Sequence, residues 1–407
     1  MKLHIKRCEW KAPTCVFEAL FSSKQYTVWL DSQGSSEYAK FSIMGSSEDV
    51  FIGEMPPAEF FSIQPDFKVP FSFCGGWVGF RGYDSGGAWL RLSTFVVFDH
   101  QRSEVYICSF SSDQLIELET QFNSIGNSAC QPDYAFPEFD LDAISQAACV
   151  PKPEYLSQIS QAKKWICEGQ SYEICLSNRW EFKGEFNPYL CYLKLRASNP
   201  AAFGAFIHLP HHAVLSSSPE LFFNLNPEGQ LLCEPIKGTL QKGGEPTDQE
   251  LQKLKAELAM ITDLVANDLT KVCRLHSVNV THLHKRTLLE TLQHYSSVIV
   301  GQLRKELNAF DVMQALFPGG SITGAPKART MGFIQELENR CRGAFTGAIG
   351  YVGFSGVSQF SIAIRTLEIH KGTDLSFGAG GAIVFDSDPE AEYTETLMKA
   401  YPLWRII

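Results

Sequence analysis

A chain of 407 residues, 44% hydrophobic and 20% charged, has the make-up of a globular protein with a sizeable core. A formal charge of -10 argues against a nucleic-acid binder, while a small anionic substrate needs only a local cluster of donors. No apolar run approaches the roughly 18 residues of a membrane span. The start, Met1-Lys2-Leu3-His4-Ile5-Lys6-Arg7, has no apolar signal core behind it. Twelve cysteines without a CxxC pair read as free thiols in a reducing cytoplasm, neither a disulfide frame nor a zinc site.

In chain order, residues 1–120 carry short aromatic and β-branched runs. Tyr26-Thr27-Val28-Trp29-Leu30, Phe95-Val96-Val97-Phe98 and Val105-Tyr106-Ile107-Cys108 predict strands. Gly75-Gly76 and Gly79 mark turns or close backbone approach. The polar stretch from Asp113 to Pro151, with Pro132 and Pro137, predicts a linker or surface excursion, which would divide the chain near residue 150. Tyr155, Ile159, Ala162 and Ile166 share one face of a helix over 154–169 that Gly169 ends. Strands resume at Ile174-Cys175-Leu176, Phe203-Gly204-Ala205-Phe206-Ile207 and Val214-Leu215. A long helix follows residue 248: Leu251, Leu254, Leu258, Ile261 and Val265 repeat at helical spacing, Asp248 suits the cap, and Glu257 borders the apolar stripe. Glycine-punctuated strands around 347–360 and 377–385 precede a last helix. Helices and strands do not alternate as βαβ units, so the fold class is α+β with large, mostly antiparallel sheets.

The chain is organised around Cys233-Glu234-Pro235-Ile236-Lys237-Gly238-Thr239. Pro235 stops a ladder, Gly238 lets backbone approach a ligand, and Lys237 sits on a stiff turn. A lysine that loses hydration there has a lowered pKa and becomes a nucleophile; taken alone, a lysine in a turn is ordinarily a solvated surface group. In the last helix Glu392, Glu395 and Lys399 are spaced i, i+3, i+7 on one face. Two such carboxylates can share a hard divalent cation, with Glu257 as third ligand and Lys399 placed for a substrate carboxylate; the plain alternative is a solvated charged face. His294 can be a base or a satisfied structural histidine. Arg365, at the end of an apolar strand, can clamp a carboxylate or reach out to solvent. Gly378-Ala379-Gly380-Gly381 can offer amides to an anion or form a tight turn. Gly319-Gly320-Ser321-Ile322-Thr323-Gly324-Ala325-Pro326-Lys327 misses the phosphate-loop pattern, because Ala325-Pro326 intervenes and no Ser or Thr follows the lysine.

Ser216-Ser217-Ser218-Pro219-Glu220, Pro235-Ile236-Lys237-Gly238-Thr239, Asn267-Asp268-Leu269, Phe317-Pro318-Gly319 through Lys327, Gly347-Ala348-Ile349-Gly350-Tyr351, Ile364-Arg365-Thr366, Gly378 through Val384 and Glu390 through Thr396 run in one order through residues 151–407. Together they resemble the chorismate-utilising enzymes. The N-terminal part matches more weakly, through Trp29-Leu30-Asp31-Ser32 and Gly75-Gly76-Trp77-Val78-Gly79-Phe80. Within that family Lys237 discriminates. Anthranilate synthases usually carry alanine there, whereas the Pro-Ile-Lys-Gly-Thr form resembles component I of aminodeoxychorismate synthases. Isochorismate and salicylate enzymes place a water-activating lysine where this chain has Glu173. Three positions depart from the family pattern: Ala266 and Lys242 stand where arginine is common, and Leu254 where an acid is common.

The resemblance implies a large two-sheet antiparallel sandwich flanked by helices, with residues 1–150 as an entwined N-terminal subdomain, residues 151–407 as the chorismate-binding catalytic domain, and the active site between the sheets. It implies Lys237 as nucleophile and Glu220 as general acid. Arg365, Tyr351, Gly380, Gly381, Lys399, Thr239 and His294 would bind substrate, and Glu257, Glu392 and Glu395 would hold Mg²⁺. It also implies a glutamine amidotransferase partner supplying ammonia, because the chain offers no Gly-x-Cys-x-Gly nucleophile elbow: before Cys74 stand Ser72 and Phe73.

Overall fold

The computed structural model describes residues 1–33, 38–126, 134–241, 247–288 and 292–407. Two large sheets lie face to face, of 12 and 10 strands among the described residues. Their pairings are antiparallel except where Lys2–Cys8 meets Gln64–Pro65. Helices cover both outer faces, so most strands are buried on two sides. This explains why Phe95-Val96-Val97-Phe98 reads as a continuous apolar run rather than an alternating one. Phe95 and Val97 point into the core between the sheets, with Val78, Phe80 and Ile349 of the other sheet. Val96 and Phe98 point the other way, into a core shared with the helix Lys152–Cys167 and the last helix, Pro389–Trp404. A third core lies outside the second sheet, where Phe223, Ile299 and Phe360 meet Leu269, Val312 and Leu316.

The first 150 residues supply strands to both sheets. Thr27–Asp31 pairs with Phe203–Leu209 in the first, and Gly76–Arg81 pairs with Ala348–Gly353 in the second. The polar stretch expected to be a linker instead holds two helices, Ser112–Asn123 and Leu141–Gln146. Ser111 and Asp140 accept the first-turn amides; Leu118 and Phe122, one turn apart, are buried on the first helix and Ile144 on the second, which outweighs the polar average.

Two of the places where the chain crosses from one sheet to the other position the site. His212–Ser218 belongs to the first sheet and Leu221–Leu225 to the second, with Pro219-Glu220 between them. Ser358–Ile362 belongs to the second and Thr366–His370 to the first, with Arg365 between them at φ 50°. The crossings are bonded to each other. The Ser217 amide donates to the Arg365 carbonyl at 3.0 Å, and the Ile362 amide donates to the Glu220 carbonyl at 3.1 Å.

Candidate active site

Lys237 lies in the edge strand Ile236–Gln241, not on a turn. Pro235 breaks the chain after Gln230–Glu234, and the new strand pairs with Leu292–Gln302. Gly238, at φ 64°, forms a bulge in that pairing. A Cβ there would come 1.9 Å from Leu254 Cδ1, so this glycine admits the helix Asp248–Thr270 rather than a ligand. Leu254, where relatives commonly have an acid, is thus a packing residue of this chain.

The Lys237 side chain is 14% exposed and its Nζ stands 3.1 Å from Oε1 of Glu173, which is fully buried. Glu173 begins the strand Glu173–Lys183 of the other sheet, where it pairs with Ala325 of the edge strand Gly324–Ala325. Here the expectation of a lowered lysine pKa fails. Burial does push it down, but the Glu173 carboxylate, with Cys175 and Glu257 adding to it, outweighs burial and holds the group well above its ordinary value. Lys237 therefore rests as an ammonium with a carboxylate base in contact. The other Glu173 oxygen, Oε2, is buried with no hydrogen-bond partner among the described residues. That open acceptor faces the same region.

Glu220, at the first crossing, is 6% exposed. Burial pushes its pKa up to about 7; the Ser321 hydroxyl, Lys237 and the Ile236 amide pull the other way but less. Ser321 Oγ donates to Glu220 Oε1 at 2.7 Å. Ser321 belongs to the glycine-rich stretch that misses the phosphate-loop pattern. It sits in a short 3-10 turn, Gly320–Ile322, and the lysine of that stretch, Lys327, pairs with Asp268 at 2.5 Å. The stretch holds Glu220 rather than a phosphate.

Arg365 is half-buried, and burial lowers its pKa. Among the described residues no carboxylate pairs with it; Nη1 reaches only Asn199 Oδ1, at 3.5 Å. A half-buried guanidinium so placed is a ready anion site. His294 lies close by: burial first, and then the charge of Arg365, lowers its pKa, which keeps it neutral. Its strand pairs Thr239 with His294, while the Thr239 side chain lies outside the described residues, as does Lys242. Gly380 and Gly381 are not in a turn. They lie inside the strand Asp374–Ile383, opposite Ser177 and Leu176. On its other edge that strand stops pairing at Leu367↔Phe377, so its edge beyond Phe377 is open just where Arg365 precedes Thr366. Tyr351 lies apart from this group. Its ring packs edge-on against Phe73, centroids 5.0 Å apart, in the core between the sheets.

Of the three expected metal ligands, Glu257 is half-buried on the helix Asp248–Thr270, and its charge is felt at Lys237. Glu392 is buried and accepts from Ser387 Oγ at 2.6 Å. A Cβ on Gly381 would come 3.2 Å from Glu392 Oε2 and 3.9 Å from Lys399 Nζ, so the missing side chain keeps space open over both. Glu395 is half-exposed and pairs with Lys399 at 2.6 Å; Lys399 also donates to the Gly380 carbonyl at 3.1 Å. All three acids are oxygen donors, which suits Mg²⁺.

Sequence reasoning saw Glu173 only as the replacement of a lysine, and did not see it as the partner of Lys237. The pairing spans 64 positions and two sheets. It also missed Glu338 and Arg342, a buried pair at 2.7 Å that grips Ser177 and the Cys175 carbonyl and so fixes the strand behind Glu173. Their i, i+4 spacing was the available signal.

A family model described as chorismate binding enzyme matches residues 82–405. The chain belongs to this family. Among curated relatives, it is 35% identical to the aminodeoxychorismate synthase component 1 of Klebsiella aerogenes, over 83% of this chain and 78% of that protein. It is 35% identical to the chloroplastic aminodeoxychorismate synthase of Arabidopsis thaliana, over 83% of this chain but 41% of that protein. The chain spans about half the length of several curated relatives. A likeness of 36% to the anthranilate synthase component 1 of Aquifex aeolicus covers 63% of the chain and 53% of that protein. In fold, the chain is similar to the crystal structure of anthranilate synthase component I from Streptococcus pneumoniae, with a TM-score of 0.74 at 24% identity, covering 91% of this chain and 93% of that one. It is also similar to the isochorismate synthase MenF of Escherichia coli, with a TM-score of 0.72 at 18% identity, covering 99% and 94%.

Proposed function

We propose that this family member is an aminodeoxychorismate synthase component I, which replaces the C4 hydroxyl of chorismate by an amino group in the route to para-aminobenzoate and folate. The observation that carries the reading is the buried Lys237–Glu173 pair beside a Glu220 whose pKa stands at about 7. The curated relatives that share most of the chain support it.

Glu173 takes a proton from Lys237, and the freed amine forms a bond to ring carbon C2. The ring electrons shift and the C4–oxygen bond breaks. Hydroxide is a poor leaving group, so Glu220 gives its proton and water departs. Ammonia then bonds to C4 and loses a proton to Glu220, the C2–nitrogen bond breaks, and Lys237 recovers its proton from Glu173. Chorismate and ammonia become 4-amino-4-deoxychorismate and water, and each side chain ends as it began. Arg365, the open edge at Gly380-Gly381 and Lys399 are the donors for the substrate carboxylates, and neutral His294 a polar contact. Tyr351 would reach a substrate only through a change in its present packing. Glu257, Glu392 and Glu395 would hold Mg²⁺, which would neutralise a ring carboxylate. The ammonia source would be a glutamine amidotransferase subunit, in keeping with relatives named as component 1.

The test is product analysis with chorismate and ammonium salt at saturating Mg²⁺. Aminodeoxychorismate supports the reading, anthranilate assigns the chain to the other branch, and no product leaves it a binding homologue.

A further inference from the structure

We propose a second metal site, remote from the chorismate machinery: His212, Glu368 and His370 form a three-ligand centre for a borderline-soft divalent ion, best suited to Zn²⁺. The backbone builds it. His212 and His370 stand directly opposite each other on the antiparallel strands His212–Ser218 and Thr366–His370. Glu368 is two residues before His370 and so projects from the same face.

The distances suit one ion. His212 Nε2 is 3.0 Å and His370 Nε2 3.7 Å from the same oxygen, Glu368 Oε2, and one ligand atom from each residue lies within 4.8 Å of the others. Ligands around tetrahedral zinc, with bonds of about 2.0–2.1 Å, stand roughly 3.3 Å apart. The alternative is a purely hydrogen-bonded trio, in which each ring, as its Nε2–H tautomer, donates to the one oxygen. The rings are stacked with centroids 4.3 Å apart and planes 10° from parallel, and both bring Nε2 to the same carboxylate oxygen. Stoichiometric zinc binding separates the two arrangements.

The surroundings fit. Glu368 is 6% exposed, and its other oxygen accepts from the Ala344 amide at 2.8 Å, which fixes the carboxylate as outer partners fix metal ligands. Phe80 walls one side, its ring 5.5 Å from that of His212. A cavity of about 700 Å³, lined also by His211 and Cys341, opens onto the trio and leaves a fourth position for water or an added ligand. Two His and one carboxylate with an open position is a set that zinc commonly takes. No role in turnover is assigned to it.

The experiment uses the full untagged chain, stripped with chelator and dialysed against micromolar Zn²⁺, with bound metal measured by elemental analysis and affinity by calorimetry. One zinc per chain is expected. Loss of outer partners alone costs about 10- to 100-fold in affinity, so His212→Ala and His370→Ala should each lose at least that, while His208→Ala should lose none. Bound zinc should also protect His212 and His370 of the unmutated chain from diethylpyrocarbonate, read by peptide mass, which keeps the test valid if a variant folds poorly. No stoichiometric zinc, unchanged affinity in both folded variants, or unprotected histidines would each overturn the site.

Discussion

Lys237 shows how two opposed effects are decided by geometry. Burial disfavours an ammonium, but a carboxylate 3.1 Å away in the same dry place favours it more. The proposed nucleophile is thus stored protonated, with its proposed base in contact. Lys237→Ala should remove the covalent adduct seen by intact-protein mass after incubation with chorismate without ammonia, while chorismate binding measured by calorimetry survives. An adduct of the same mass in the variant would refute the assignment. Glu220 gives a signed pH prediction. The proposed step needs its acid form, and its pKa of about 7 means that form is present below pH 7 and lost as pH rises through 7. Single-turnover adduct formation should therefore fall over that range. The Ser321 hydroxyl lowers the Glu220 pKa, so Ser321→Ala should move the falling limb to higher pH. Glu220→Gln should abolish the limb and cost about 10²- to 10⁴-fold in rate, the usual worth of a general acid.

At the scale of elements, glycines separate into those that pack and those that do not. A Cβ on Gly380 would stand 2.1 Å from the Leu176 carbonyl oxygen, a backbone atom of the paired strand that cannot swing aside. Gly380→Ala should destabilise the chain by about 1–3 kcal/mol in urea unfolding and spoil the open strand edge beside Arg365. Gly332, on the exposed face of the helix Lys327–Glu338, has nothing within 4 Å of its would-be Cβ. Gly332→Ala should raise stability by about 1 kcal/mol, and equal effects of the two changes would contradict this packing. The last helix carries a further prediction. Asp388 caps it by accepting from the Ala391 amide at 2.9 Å, so Glu392, in the first turn, and Glu395, one turn on, are presented from an ordered helix start. Glu395→Gln should weaken Mg²⁺ binding in calorimetry and leave the unfolding transition in place. Full activity of the unmutated chain in excess chelator would sink the metal assignment.

For the whole molecule, the site draws on both sheets, so it forms only when the sandwich closes. Lys237 comes from an edge strand of one sheet and Glu173 from the other, while Glu220 and Arg365 sit where the chain passes between them. Chorismate turnover and cooperative unfolding should therefore be lost together as urea rises. The chemistry also sets what the molecule needs from outside. Ammonia is mostly ammonium at neutral pH, and the chain offers no cysteine elbow to release it from glutamine. The purified chain should work with high ammonium, with free ammonia rising and the acid form of Glu220 falling as pH is raised, and poorly with glutamine; an added amidotransferase subunit should restore glutamine use. Efficient glutamine turnover by the chain alone would refute that dependence.

Local patterns carried much of this on their own. Runs such as Val105–Cys108 and the stripe Tyr155, Ile159, Ala162, Ile166 were legible because strand and helix periodicity is written into neighbouring residues. The ordered motifs from Ser216 to Thr396 named the family for the same reason, each being a short contiguous string. What contiguous strings could not carry was pairing at a distance. The helices within 112–146 were hidden by a polar average, and Gly238 looked like a ligand contact until Leu254 was seen beneath it. The protonation of Lys237 had the wrong sign because a carboxylate 64 residues away decides it. The trio His212, Glu368 and His370 left no trace in the sequence, because two antiparallel strands bring it together. Residue type and spacing thus determined which groups this protein has. Only the closing of two sheets decided which of them touch, and charge and burial act through contact.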